Sequence, residues 1–308
     1  MRIIALGFFD GVHRGHGALL RCACAMADQA GCTAACLTFD RHPGDLLGQP
    51  APLINTSAER AWLMQRLYGI DEVLVLPFTP TLLHTPWQDF AARLLTEYQA
   101  AGLVCGADYR FGDRAEGTAE RLRAFAAEHG IECRIVPPVL QDGAPISSTR
   151  IRVSLEAGLL DEANDLLGHP HLLTGVVEHG KHVGSQLGFP TANLPVAPGV
   201  LAPCHGVYAA RVTLPDGSRR MAVTNIGLRP TLEQTDRVNV ESWIQDYDGD
   251  LYGRPLRVEL LEFLRPEMQF ASVEALRGQV LADGAAVRRR FVDAPLCQLR
   301  PGYGAALA

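Results

Sequence analysis

The sequence predicts an α/β domain built on a parallel sheet, followed by an all-β barrel that ends in a helix. Three observations carry the prediction. In the first half, short β-rich runs alternate with helical stretches; beyond Gly168 the runs become strands separated by Gly, Pro and Asp turns; and a capped, apolar-periodic segment closes the pattern. A chain of 308 residues has room for two domains, each with its own core. The boundary is placed so that residues 1–168, including a helical connector, form the first domain and 169–308 the second.

Met1–Leu6, Cys32–Phe39, Glu72–Leu76, Leu103–Cys105 and Glu132–Pro137 read as strands. Between and beside them, Gly15–Ala30, Ser57–Tyr68, Pro86–Gln99 and Ala119–His129 read as helices. Such alternation implies right-handed crossovers and a sheet covered on both faces, with ligands at the C-terminal ends of the strands. The connector comprises Thr149–Gly158 and Leu160–Leu167, and Gly168-His169-Pro170 stops it. Leu173–Val177, Val207–Thr213, Arg219–Ile226, Val238–Ile244 and Leu256–Phe263 then read as strands. Ser272 caps the closing helix, with Glu274 in its first turn.

Composition narrows the class of protein. Hydrophobic residues make up 47% and charged residues 20%, as in folded globular chains. The longest apolar runs, such as Val73–Leu76, are far too short for a bilayer span, and no leader-like segment precedes the first motif; a cytoplasmic protein is expected. The eight cysteines show no paired C-x-x-C spacing, so reduced and mostly buried thiols are expected. A net charge of −6 gives no reason to expect nucleic acid as a partner, and Arg288-Arg289-Arg290 reads as a solvated helix end. Small molecules are the expected partners, with weak self-association left open.

Two motifs carry chemistry. Gly7-Phe8-Phe9-Asp10-Gly11-Val12-His13-Arg14-Gly15-His16 follows the first strand and opens the first helix, where backbone N–H groups favour phosphate. His13 and His16, three residues apart, are able to face one phosphate tail, and Gly11 and Gly15 allow close backbone approach. Such an array suits nucleotidyl transfer, in which charge builds on the α-phosphate as pyrophosphate leaves. The plain alternative is two surface histidines. Ile146–Arg152 adds Ser148, Thr149 and Arg152 as phosphate contacts, although either hydroxyl also suits a helix cap. Asp40 and Asp108 follow strands at the same edge, as functional acids or as turn residues.

The second motif is Gly188-Phe189-Pro190-Thr191-Ala192-Asn193. Pro190 stiffens the turn that presents Thr191 and Asn193, an oxygen-rich pair suited to magnesium and ATP phosphates, with Thr191 as the metal ligand. Phosphorylating an alcohol also needs a carboxylate to take its proton, and Glu241 is the candidate, against the commoner reading of a solvent-facing strand glutamate. Asn225–Thr231 offers further donors, and Asp246–Gly253 reads as an acidic turn.

Together these motifs resemble the prokaryotic bifunctional riboflavin kinase/FAD synthetase family along essentially the whole chain. Gly7–His16, Thr38–Pro43, Gly106–Gly112 and Ser147–Arg152 resemble its FMN adenylyltransferase half. Gly188–Asn193, Asn225–Thr231, Glu241, Asp250–Gly253 and Leu264–Glu267 resemble its riboflavin kinase half. The resemblance implies a Rossmann-like nucleotidyltransferase domain before a riboflavin-kinase barrel. It further implies ATP-dependent phosphorylation of riboflavin to FMN, adenylylation of FMN to FAD, and Mg²⁺ as cofactor. By that likeness Glu241 is the base and His13 and His16 stabilise adenylyl transfer. Gly11, Gly15, Asp40, Asp108, Ser148, Thr149, Arg152, Gly188, Pro190, Thr191 and Asn193 then bind nucleotide or flavin. Trp243, Arg41 and Ser185-Gln186 depart from the family pattern. The rival readings are a nucleotidyltransferase for another phosphorylated acceptor with a flavin-sensing β domain, and a flavin-binding protein without turnover.

Overall fold

The computed structural model describes residues 1–180, 188–229 and 237–291. The Ser185-Gln186 departure, Pro230, Thr231 and Cys297 lie outside them. The chain divides into two compact units, Met1–Ser148 and Thr149–Ala308.

The first unit is a five-stranded parallel sheet. Its elements run β1 (Arg2–Leu6), α1 (Arg14–Ala30), β2 (Thr33–Phe39), α2 (Ser57–Tyr68), β3 (Glu72–Leu76), the single turn α3 (Pro80–Leu83), α4 (Trp87–Thr96) and β4 (Ala100–Gly106). A two-residue pair β5 (Arg110–Phe111) and β6 (Gly117–Thr118) follows, then α5 (Ala119–Glu128), β7 (Glu132–Val136) and a second small pair, β8 (Leu140–Gln141) with β9 (Ala144–Pro145). Strand order is β3-β2-β1-β4-β7, so the chain switches direction between β1 and β4. A crevice for ligands opens at such a switch, beyond the strands' C-terminal ends. Local signals set the helices. Thr56 and Glu59 form a reciprocal capping box on α2, Thr118 caps α5, and Gly31 and Gly69 end α1 and α2 at φ of 63° and 72°. Ile4, Leu6, Leu37 and Leu103 pack against Phe90 and Leu94 of α4 and Leu122 and Ala126 of α5.

The second unit opens with α6 (Ser148–Glu156, whose first residue belongs to the first unit) and α7 (Leu160–Leu167). Its strands are β10 (His171–Val176), β11 (Thr191–Pro195), β12 (Gly206–Thr213), β13 (Arg219–Arg229), β14 (Arg237–Ile244) and β15 (Pro255–Arg265), and α8 (Val273–Phe291) follows. The six strands pair in the order β10-β15-β12-β13-β14-β11, every ladder antiparallel. One further bridge, Glu178 with Asn193, joins the continuation of β10 to β11 and brings the sheet's two edges together. Nearly all of β12 is buried. Val207 and Ala209 meet Val287 of α8 in one cluster, and the alternate residues turn to the opposite face. Ser272 accepts a hydrogen bond from the Ala275 amide, the cap that the sequence signals.

Besides the short elements α3, β5, β6, β8 and β9, which the sequence reading did not include, two elements differ from it. Thr191–Pro195 is a strand, β11, rather than part of a turn; five residues bounded by Pro190 and Pro195 carry little periodicity, and β11 gains its place by pairing with β14. The helix expected over Pro86–Gln99 stops at Thr96, and Gln99 takes a left-handed φ of 54° as the chain enters β4. The seven described cysteines are free thiols; Cys36, Cys105 and Cys133 are buried and four are half-buried.

Candidate functional sites

In the first unit the loop after β1 is a tight, strained turn. Phe9, Gly11 and Val12 all lie in the left-handed region, at φ of 57°, 79° and 44°. Asp10 holds this turn from below: its buried carboxylate accepts hydrogen bonds from the Ile54 amide at 2.9 Å and the Asn55 amide at 3.3 Å. From the other side Ser148 Oγ donates to the Asp10 carbonyl at 2.9 Å. The turn therefore delivers His13 as the N-cap of α1, its Nδ1 accepting from the His16 amide at 3.2 Å.

The two imidazoles stack with ring centres 3.5 Å apart and planes 16° from parallel. A Cβ at Gly15 would come within 3.0 Å of the His13 ring, so this position is held small by the imidazole. His16 Nδ1 is buried without a hydrogen-bond partner, and burial, together with the neighbouring His13 and Arg60, holds the His16 pKa well below 6.5. The His16 imidazole is thus neutral at physiological pH.

Gly11, His13, Gly15, His16 and Ser148 thus gather around one turn. Asp40 lies at the end of the neighbouring strand β2, where its Oδ1 accepts from the Phe78 amide at 2.8 Å, and exposed Arg41 stands 3.7 Å from it. Asp108 is exposed just past β4. Thr149, exposed, and Arg152, half-buried, fall on α6 in the second unit. Sequence reasoning missed Arg60. Its fully buried guanidinium reaches the Phe8 carbonyl, Thr38 Oγ1 and the Phe39 carbonyl, yet an arginine in the middle of an amphipathic helix carries no mark of such a role.

The second unit's site follows from sheet register. Arg265, Val207, Asn225, Glu241 and Asn193 form one rung across five strands, and Val223, Trp243 and Thr191 form a neighbouring rung. Residues opposite one another, and those two apart along a strand, share a face. Thr191 Oγ1 donates to Glu241 Oε1 at 2.6 Å, and Asn193 accepts from Asn239 Nδ2 at 2.8 Å. Gly188, at φ 86°, and exposed Pro190 lead into β11 on either side of buried Phe189. The face forms one wall of a cleft of about 350 Å³, lined by Phe189, Trp243, Met268, Phe270, Leu276 and Val280 around the polar Thr191, Asn225, Glu241 and Glu267. That size and that apolar wall with a few polar groups suit a planar organic ligand. Phe189 and Trp243 stand 5.8 Å apart, and on the α8 side Arg265 pairs with Asp283 at 2.8 Å.

A parallel α/β unit with an imidazole pair at its switch point, joined to an antiparallel barrel with a hydroxyl–carboxylate pair on an apolar-walled cleft, is the architecture of a two-domain transferase. Residues 1–150 match the family model for FAD synthetase and residues 167–291 that for riboflavin kinase. The chain belongs to the bifunctional riboflavin kinase/FMN adenylyltransferase family. A relative of that name from Listeria monocytogenes is 34% identical over 293 residues, covering 94% of this chain and 92% of its own. The relative of the same name from Escherichia coli K12 matches with the same identity and coverage. A Streptococcus pneumoniae crystal structure described as a macrolide-efflux protein superposes with a TM-score of 0.81 at 32% identity, covering 93% of this chain and 94% of the other. Among the described residues here, no helix is long and apolar enough to cross a membrane.

Proposed function

We propose that the chain makes both flavin cofactors. The second unit transfers the γ-phosphoryl group of ATP to riboflavin, giving FMN. The first transfers AMP from a second ATP to FMN, giving FAD and pyrophosphate. What carries this reading is that each side-chain group falls within the segment matched by the corresponding family model: His13 and His16 within 1–150, Thr191 and Glu241 within 167–291. The rival with a different acceptor and a sensing barrel has no comparable support, since the relatives are named for both activities.

In the kinase step Glu241 is the general base. It lines the cleft and already holds one hydroxyl at hydrogen-bond distance, the geometry needed to take the proton from the alcohol as its oxygen attacks phosphorus. Thr191 gives its proton to Glu241 and keeps its oxygen lone pairs for a cation. Hydroxyl, amide and carboxylate oxygens fit Mg²⁺, which favours hard oxygen donors and completes its shell with water and phosphate; Thr191 would hold it, with Asn193 beside it. A bound Mg²⁺ would neutralise charge on the ATP phosphates. Gly188 and Pro190 shape the approach to these residues.

The adenylyl step needs no base, because the FMN phosphate is already anionic. Its oxygen attacks the α-phosphorus, and the bond to pyrophosphate breaks. His13 and the neutral His16 donate hydrogen bonds to the charge that develops, and the strained turn with Gly11 and Gly15 admits the phosphates closely. Asp40, Asp108, Ser148, Thr149 and Arg152 are assigned to nucleotide and flavin binding by likeness. We assign FAD formation to residues 1–168 and FMN formation to 169–308, in a cytoplasmic protein whose partners are small molecules, with weak self-association left open.

The test is a time course with purified protein, riboflavin, Mg²⁺ and ATP that resolves FMN from FAD. Glu241→Gln is expected to depress FMN formation by about 10²–10⁴-fold and to spare conversion of supplied FMN to FAD. His16→Ala is expected to do the reverse, with FMN accumulating while FAD falls about 10²–10³-fold. Equal loss of both activities in either folded variant would refute two separate sites, and normal FAD output from His16→Ala would refute the placement of adenylyl transfer.

A further inference from the structure

The geometry points to Arg60 as a positioning residue for adenylyl transfer: its buried guanidinium ties the ends of β1 and β2 beneath the Phe9–His16 turn and fixes the imidazole pair above. The inference rests on the assignment of that turn to FAD formation. Arg60 is fully buried, and one of its amino groups donates both to the Phe8 carbonyl and, at 2.9 Å, to Thr38 Oγ1. The other donates to the Phe39 carbonyl at 2.7 Å. Thr38 Oγ1 in turn donates to the Phe8 carbonyl at 2.7 Å, closing a small ring of bonds between two strand ends. The guanidinium carbon also lies 4.4 Å from the centre of the Phe8 ring. Phe8 immediately precedes the strained residue Phe9, so any slack at its carbonyl passes directly into the turn that caps α1 with His13.

The side chain is expensive to keep there. Burying a guanidinium is costly unless it is well bonded. Its hydrogen bonds go to neutral oxygens and its Nε has no partner, so its charge is not cancelled within its own contacts. Burial accordingly lowers its pKa, against the opposing pull of Asp10, Cys36 and Asp40. The same charge acts on His16, which stacks on His13 and is held neutral first by burial and then by the charges of His13 and Arg60. Arg60 therefore has two separable effects, a mechanical one through its fork of donors and an electrostatic one on the proton affinity of His16.

Arg60→Met and Arg60→Lys in the full chain separate them, with FAD formation from FMN and Mg²⁺·ATP followed across pH and FMN formation from riboflavin as the internal control. Arg60→Met is expected to lower kcat for FAD on the order of 10²-fold with KM for FMN little changed, as a misplaced group does. It should also move the acid limb of the pH profile to higher pH, because removing a positive neighbour raises the pKa of His16. Arg60→Lys keeps the charge and loses the fork: it should recover part of the rate with the acid limb where the wild type has it. Kinase activity should be unchanged in both. Wild-type kcat and acid limb in a folded Arg60→Met protein would overturn the inference, as would an acid limb displaced equally in both variants. Should Arg60→Met fail to fold, Thr38→Val removes one member of the ring while keeping its shape; a several-fold drop at an unmoved acid limb supports the inference, and full rate refutes it. A silent Arg60 series beside an inactive His16→Ala protein sinks this inference alone; an active His16→Ala protein sinks the site assignment beneath it.

Discussion

His171 shows what one side chain does to a barrel. It is fully buried at the start of β10, and neither ring nitrogen has a hydrogen-bond partner. Burial, with His169 nearby, pushes its pKa down to about 3 from 6.5. The folded protein therefore binds fewer protons at this site than the unfolded chain between those two values. The stability contributed by neutral burial is complete above 6.5 and is lost as pH falls through the window, at a limiting slope of about 1.4 kcal/mol per pH unit. His171→Leu is expected to flatten the dependence of Tm on pH between about 4 and 6.5 and to leave Tm at pH 8 equal or higher, since it also removes two unpaired polar atoms. An unchanged acid slope in melts of the variant would show that other groups set it. Arg60 and Asp283 belong to the same scale. Each is charged and buried by contacts with distant segments, and nothing in the local sequence distinguishes them from solvated helix residues.

Among the elements, legibility tracked the strength of the local signal. The α/β half was readable because its strands are short and apolar, and because Thr56–Glu59, Thr118, Gly31 and Gly69 punctuate its helices in the chain itself. Of the imidazole site, the motif and its place after β1 were visible, but the Asp10 anchor depends on contacts from residues about forty positions and more away, and the stacking of the rings is a matter of side-chain geometry that spacing does not fix. β11 was legible only as a motif. The role of α8 was invisible, because the helix acts through closeness: a Cβ at Gly284 would meet Trp243 Cζ3 at 2.5 Å and Cη2 at 2.9 Å. Gly284→Ala should thus force α8 away from the barrel wall that carries the cleft. The expected result is a loss of about 1–3 kcal/mol of stability and a raised KM for riboflavin, with FAD formation from FMN unaltered. Wild-type KM and Tm would mean that the Trp243 ring simply turns aside.

At the level of the whole molecule, the helices between the two matched segments are not a passive tether. Asn164 of α7 donates to the Leu260 carbonyl at 3.0 Å and accepts from the His171 amide at 2.8 Å, which pins α7 across β15 and β10. Asn164→Ala leaves both backbone groups buried and unpaired, a cost of about 1–3 kcal/mol each. A kinase fragment that begins at Thr149 is therefore expected to melt higher than one that begins at His169, and Asn164→Ala in the longer fragment should remove most of the difference. Equal Tm for the two fragments would assign the connector no part in the barrel's stability.

Among the described residues, the bridge between Glu178 and Asn193 is the shortest junction of the barrel, which gives it an unequal circumference. Five of its six junctions are ladders of five to eight residue pairs, while among the described residues the sixth shows that bridge. Thermal opening concentrates at the weakest junction, as a hoop parts at its clasp. Asn193 at this clasp lies two residues from Thr191 and directly across from Glu241, so the breathing that costs the barrel least occurs beside the hydroxyl–carboxylate pair of the cleft. The opposite wall around β12, closed on both edges, stays shut and keeps its shape. A barrel built this way concentrates its opening at the rim beside Asn193 and keeps its β12 wall closed.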